Sequence, residues 1–332
     1  LYVAAGFAGC RSFNIASPFS PQPLATLVTG ARPVDAAASG STLFVAADEG
    51  GFQIHSLENL ALPSLLATVS STSNSRCVAV SHPLACVGDG LYGLKIFNIA
   101  NAASPTLVGS YPAAGLSHIR RIALSGSLAV LTDGRVLQLL SIANPAAPAL
   151  LATVTNAPGS FVFDLAAVGN QAYAACGRAG LRIYGLDNNL NLDNAVATPG
   201  PATGVTSVSN LLHVSCGPYG WVTLSIAANP VSPVLVKANA TGMAFGAASA
   251  GPLVYLTDGA RAGRALNVSA PLTPVAVTNF IGLTQALRVR AASGLLLTAE
   301  DEAGLAILNA SPGDINLSGI PDSWEQQIVG AS

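Results

Sequence analysis

Hydrophobic positions along this chain come in packets of about four to six residues, each closed by Gly, Pro, Asn or Ser. Within the packets they run unbroken or alternate, as in Gly93 to Ile99 (GLKIFNI), and a period of two is that of a half-buried strand. No packet approaches the roughly 18 residues that a membrane-spanning helix needs. The 3.6-residue spacing of helices is absent as well, which excludes helical and leucine-rich solenoids. The pattern predicts many short strands joined by tight turns.

The packets repeat. A unit reading "aliphatic strand, small residues, Asp/Gly turn, Gly-φ-x-φ strand, Asn or Ser, Pro, second apolar strand" begins near Leu1, Leu43, Leu84, Leu128, Ala172, Leu212, Leu253 and Leu295, about 42 residues apart. In the best-defined copy, Arg76 to Ser81 is a first strand and Leu84 to Val87 a second, with His82-Pro83 turning the chain between them. Gly93 to Ile99 is the third strand and Thr106 to Tyr111 the fourth; Pro105 stands just before the fourth, where its missing N–H costs no ladder bond. Four antiparallel strands per copy is the period of a propeller blade. The expected fold is therefore all-β: a propeller of about eight four-stranded blades over residues 1–311, with seven as the alternative, followed by a tail at 312–332.

Composition narrows the surroundings. Of the 332 residues 51 % are hydrophobic and only 9 % are charged, against about 25 % in an ordinary soluble domain. The net charge is −2, so no basic surface calls for nucleic acid or an anionic membrane. So sparse a charge points to a surface covered by sugars, by neighbouring subunits, or by both. The chain opens on Leu1 with neither an initiator Met nor a signal peptide, and reads as a mature or partial chain.

The stretches GLKIFNIANAASPTLVGSY, LQLLSIANPAAPALLATV and FNIASPFSPQPLATLV resemble the LVIVD repeat, a bacterial family of mostly secreted or surface-attached proteins held to be β-propellers. The resemblance covers about residues 1–311 and implies architecture and an extracellular or cell-surface setting; it brings no catalytic residues. Copy one lacks the strand before Leu1, and copy eight lacks the strand after Asn309. Such open edges pair with something. Upstream residues, strand exchange between copies to make a fibre, and a seven-bladed ring with a rearranged seam all stand as readings.

One local motif follows the repeats. Asp314, Asn316, Ser318, the Ile320 carbonyl, Asp322 and Glu325 fall at the ligand positions of an EF-hand loop, with Gly319 at the sharp bend. Hard oxygens at odd spacing suit a structural Ca2+, and the segment resembles the calcium loops of dockerins and thrombospondin type 3 repeats. An Asx-rich turn without an ion is the plainer reading.

The recurring turn aspartates Asp48, Asp89, Asp133, Asp258 and Asp301 fall on one face of a ring, either as a carboxylate crown or as ordinary hairpin residues. Cys77 and Cys86 flank one turn, as a disulfide or as buried thiols, while Cys176 and Cys216 share an offset in successive copies. The four histidines, His55, His82, His118 and His213, occupy non-equivalent positions, and no catalytic constellation is present. Asn239, Asn267, Asn309 and Asn316 head formal glycosylation triplets.

Three functions remain open. The first is a structural or adhesive surface propeller, in its sharpest form a glycosylated fibre subunit that self-associates through its terminal strand edges. The second is a monomeric module that binds glycans or cell-surface proteins. The third is a hydrolase or lyase with an axial metal site. Exposed aromatics would favour the second, and Trp221 and Trp324 are the only tryptophans.

Overall fold

The computed structural model describes the backbone of residues 2–4, 10–14 and 22–27 and most of 33–309, with side chains between 33 and 275. Every strand expected for the copy near Leu84 forms. Ser75–Ser81, Leu84–Asp89, Leu94–Asn98 and Thr106–Tyr111 pair in sequence order as one antiparallel sheet, from the axis of the ring to its rim. Five further four-stranded sheets repeat this order, with inner strands Asp35–Ser39, Arg121–Ser125, Asp164–Val168, Gly204–Val208 and Gly246–Ala250. They are numbered here as blades one to six, the Ser75 sheet being blade two. A β-bulge interrupts the pairing of third and outer strands in every one, for example between Ile96 and Phe97.

Strand alternation explains the high hydrophobic content. In blade two, Leu94 and Ile96 enter an apolar cluster shared with blade three, whereas Phe97 and Ile99 enter the one shared with blade one. A blade thus buries both faces, and the core is a series of apolar layers between blades rather than one central mass. No solvent-facing polar stripe is required along the middle strands.

The closure corrects the expected blade count. Six four-stranded blades form, not about eight, nor seven of that kind. The two incomplete end copies do not make blades of their own but join in one six-stranded sheet, in the order Ala286–Ala292, Leu295–Glu300, Gly304–Asn309, Tyr2–Ala4, Cys10–Asn14, Gln22–Leu27. The edges expected to be open meet each other, with Tyr2 opposite Ile307. Each edge uses the other as its partner, which is why counting copies overestimates blades. Ala286–Ala292 lies beside the inner strands of both blade six and blade one, so the sheet closes the ring.

The glycine of the repeated unit has a definite reason. Gly51, Gly93, Gly180 and Gly220 precede the third strands of blades one, two, four and five, all with φ between 74° and 82°. A Cβ at Gly93 would run into the Tyr111 carbonyl, and one at Gly180 into that of Val196, each at the end of the outer strand. Left-handed backbone and close approach act together. We expect Gly93→Ala to cost about 2–4 kcal/mol. Gly126→Ala, in a left-handed hairpin corner with open space around it, should cost only about 1 kcal/mol. Urea midpoints of the two variants test the difference.

Candidate functional site: faces and rim of the ring

The second-turn aspartates are engaged in local structure. Asp133 Oδ1 accepts the Arg135 and Val136 amides, both at 2.8 Å, while Oδ2 accepts the Ser117 amide at 3.1 Å and its hydroxyl at 3.2 Å. Burial pushes this carboxyl up, but these donors outweigh it and hold it below the usual carboxylate range. Asp89 Oδ1 accepts the Asn74 amide at 3.0 Å, and Asp48 faces Arg76 Nε at 3.4 Å. These three serve turns and a blade junction. Asp258 and Asp301 lie outside the described residues.

At the start of the inner strands a second set of charges, not singled out from sequence, ties blades together. Asp164 of blade four faces Arg121 of blade three at 3.4 Å, with both side chains buried, and its Oδ2 accepts the Val205 amide of blade five at 3.2 Å. Asp35 of blade one likewise accepts the Val78 amide of blade two at 3.2 Å. The signal available in the sequence was a charge heading an otherwise apolar strand: DAAAS, RIALS, DLAAV.

The cysteines and histidines do not converge. Cys77 lies opposite Gly88 and Cys86 opposite Ala79, so the two share one face two residues out of register; both are buried and no disulfide joins them, and Cys86, Cys176 and Cys216 are buried free thiols. Burial pushes the Cys86 thiol up to about 12 and those of Cys176 and Cys216 to about 11, so all three stay protonated near neutrality. His55 and His213 are fully buried in blades one and five, His82 is exposed on the first hairpin of blade two, and His118 is half-buried before blade three. Among the described residues no group of three or more His, Cys, Asp or Glu is placed to hold a metal ion.

Asn239 ends the outer strand of blade five, half-buried, its side-chain nitrogen buried and without a hydrogen bond. Asn267 closes a turn by accepting the Ser269 amide at 2.9 Å. Asn309 ends a strand of the closing sheet. Trp221 is buried between blades five and six. The loop Asp314, Asn316, Ser318, Ile320, Asp322 and Glu325, with Trp324 inside it, lies outside the described residues.

Two surfaces emerge that periodicity did not mark. The first is the rim. Leu65, Leu107, Leu150, Leu192 and Leu235 occupy the same register position on the outer strands of blades one to five, and all are 47–58 % exposed. Val275 of blade six continues this belt beside that position. The outer strands SLLATV, TLVGSY, ALLATVT, LDNAV, VLVKAN, VAVTNFI and QPLATL carry only Asp193 and Lys237 as charges. The second surface is an open groove of about 750 Å3 between blades five and six, lined by Ser207, Ser209, Asn210, Ser225, Ser249 and Ser269 together with apolar side chains.

Comparison with known proteins follows the blade just described. Residues 73–113 match the LVIVD repeat. The LVIVD match spans blade two from just before its inner strand to just past its rim. No curated protein matches the chain. Among solved structures, the WD40 repeats of RRP9 superpose with a TM-score of 0.66 at 11 % identity, covering 94 % of this chain and 100 % of that one. The β-propeller domain of Cps50 (Swd1) from Myceliophteria thermophila gives 0.66 at 12 % identity, over 83 % of this chain and 96 % of that one. PorZ of Porphyromonas gingivalis gives 0.59 at 18 % identity, over 85 % of this chain and 37 % of that one. At these identities the likeness is one of fold: the chain is a β-propeller containing an LVIVD repeat, akin in architecture to WD40 propellers. No helix among the described residues is long and apolar enough to cross a membrane.

Proposed function

We propose that this propeller is a structural or adhesive component of a cell surface that works by packing against further copies of itself through its rim. The observation that carries this reading is the aliphatic belt on outer strands almost free of charge. Sheet edges in monomeric proteins are guarded by lysines, inward charges and bulges. Here the bulges are present and the charges are nearly all missing, so contact runs through side chains rather than one continuous ladder. Because successive blades offer an exposed leucine at the same rim position, a second copy is complementary at several angles. Gln22–Leu27, the outermost strand of the closing sheet, supplies one further edge from the terminal copy.

An extracellular setting accords with the LVIVD match and the low charge; PorZ, which shares the fold, is described as a bacterial surface component. Within this reading the Asp314 to Glu325 loop binds a structural Ca2+, and sugars on Asn267 or Asn309 cover part of the surface; Asn239, its side-chain nitrogen buried, is not a carrier.

Light scattering of natively purified chain, in calcium and then in EDTA, tests the assembly. Species well above the monomer mass are expected, and Leu107→Lys with Leu150→Lys should reduce them to monomer without changing the unfolding free energy from urea denaturation by more than about 1 kcal/mol. Assemblies lost in EDTA yet unchanged by the lysines would place the junction at the calcium loop instead. A monomer throughout, in the unaltered chain, overturns the reading and leaves the alternative of a solitary binding module.

A further inference from the structure

We propose that the groove between blades five and six binds an uncharged carbohydrate chain. It opens on the face that carries the first hairpins. The Val208–Leu211 hairpin forms one wall, Ser225 and Ala227 one end, and Ser249 with Val268, Ser269 and Pro271 the other wall. Its volume of about 750 Å3 lies within the range of small-molecule sites.

The chemistry of the walls selects the ligand. Not one lining residue is charged. Ser249 is held in place, its hydroxyl donating to the Ser207 carbonyl at 2.8 Å and accepting from the Thr206 hydroxyl at 2.9 Å. The side chains of Ser207, Ser209, Asn210 and Ser269 make no hydrogen bond among the described residues, although Ser207 is half-buried. Each hydroxyl both donates and accepts, and the carboxamide of Asn210 offers one group of each kind. A row of such groups matches the hydroxyls of a saccharide, which also donate and accept. Among them Val208, Leu211, Val268 and Pro271 give apolar surface for the C–H face of a sugar ring. A peptide would present ionised termini or side chains to a site with no countercharge.

The backbone adds an independent observation. Ser209 holds a left-handed φ of 50° at the hairpin corner where blades one, three and four carry Gly40, Gly126 and Gly169. Glycine takes this conformation without strain, whereas serine does not. A hydroxyl is therefore kept at the mouth of the groove against the local conformational preference, as expected of a residue with a contact to make. This inference is independent of assembly at the rim.

Isothermal titration of the full chain with maltohexaose, cellohexaose and chitohexaose, and with hexagalacturonate as the charged control, tests it. At least one neutral hexasaccharide should bind with a Kd of about 0.1–1 mM, and the acidic one at least tenfold more weakly. Ala227→Trp, which fills the groove from an exposed position, should weaken binding at least about tenfold. Ser209→Gly should weaken it about threefold or more while raising the urea midpoint, a pairing that a purely structural serine would not give. The proposal is overturned if no neutral hexasaccharide binds at 10 mM, or if Ala227→Trp and Ser209→Gly both leave binding unchanged. Binding of an uncharged Ser/Thr/Gly decapeptide in place of any sugar overturns it as well.

Discussion

Between pH 6.5 and about 4, acidification is expected to remove on the order of 3 kcal/mol of stability for each of His55 and His213. Both rings are fully buried, and desolvation alone lowers each from 6.5 to about 4. His55 Nε2 donates to Gln53 Oε1 at 3.1 Å, leaving Nδ1 buried and bare; His213 Nδ1 meets Thr223 Oγ1 at 3.2 Å, leaving Nε2 bare. A proton on either ring would have no acceptor waiting among the described residues. The unfolded chain takes up these protons near the ordinary histidine value while the folded chain does not. Stability is thus complete above pH 6.5 and falls as the pH drops towards 4, where the folded rings begin to charge. Urea midpoints measured at intervals across that window should fall steadily. His55→Leu and His213→Phe should each flatten the slope by about half, whatever they do to the midpoint at neutral pH. A midpoint independent of pH in the unaltered chain would refute the assignment. Asp133, held below the usual carboxylate range, loses its contribution only at more acidic pH, so the two effects separate.

Asp164→Ala is expected to cost about 3–5 kcal/mol, more than any rim substitution. It takes from Arg121 the buried carboxylate that it faces at 3.4 Å, and from the Val205 amide its acceptor. Three successive blades lose a common tie. Asp164→Asn keeps an acceptor for Val205 and should cost less than the alanine. Arg121→Met combined with Asp164→Asn should recover part of the loss, because removing both charges also removes the desolvation that each suffers alone. Chemical denaturation with an unchanged m value checks all three. An Asp164→Ala chain within about 0.5 kcal/mol of the unaltered protein would show that the pair contributes little.

Legibility differed sharply between levels. The strands of the copy near Leu84 were readable to within a residue or two, because alternation, the His82-Pro83 turn and Pro105 all mark their limits within a few positions. The motif glycine was readable as a mark of the repeat, but its cause, the outer-strand carbonyl beside Gly93, belongs to another strand. The count of blades was misread, since the end copies looked like two defective blades until their edges met. The segment from Asp314 to Glu325 shows only a pattern of oxygen-bearing residues in the sequence, and it lies outside the described residues.

The candidate surfaces were the least legible. Ser64–Val69 (SLLATV) reads as a buried strand, yet Leu65 is 54 % exposed because that strand is the outermost of its sheet and, among the described residues, no further strand covers it. Ser209 and Ser249 lie 40 positions apart and reveal a groove only when blades five and six stand side by side.

By itself, then, the amino-acid order determined short strands, their four-fold grouping and a repeat of about 42 residues, since these follow from alternation and turn chemistry over a few neighbours. The tertiary structure alone decided how the ends close, which charges meet between blades and which apolar residues remain on the rim. Each of those depends on packing between segments tens to hundreds of residues apart, where a side chain's environment is set by what lies across the interface rather than beside it in the chain.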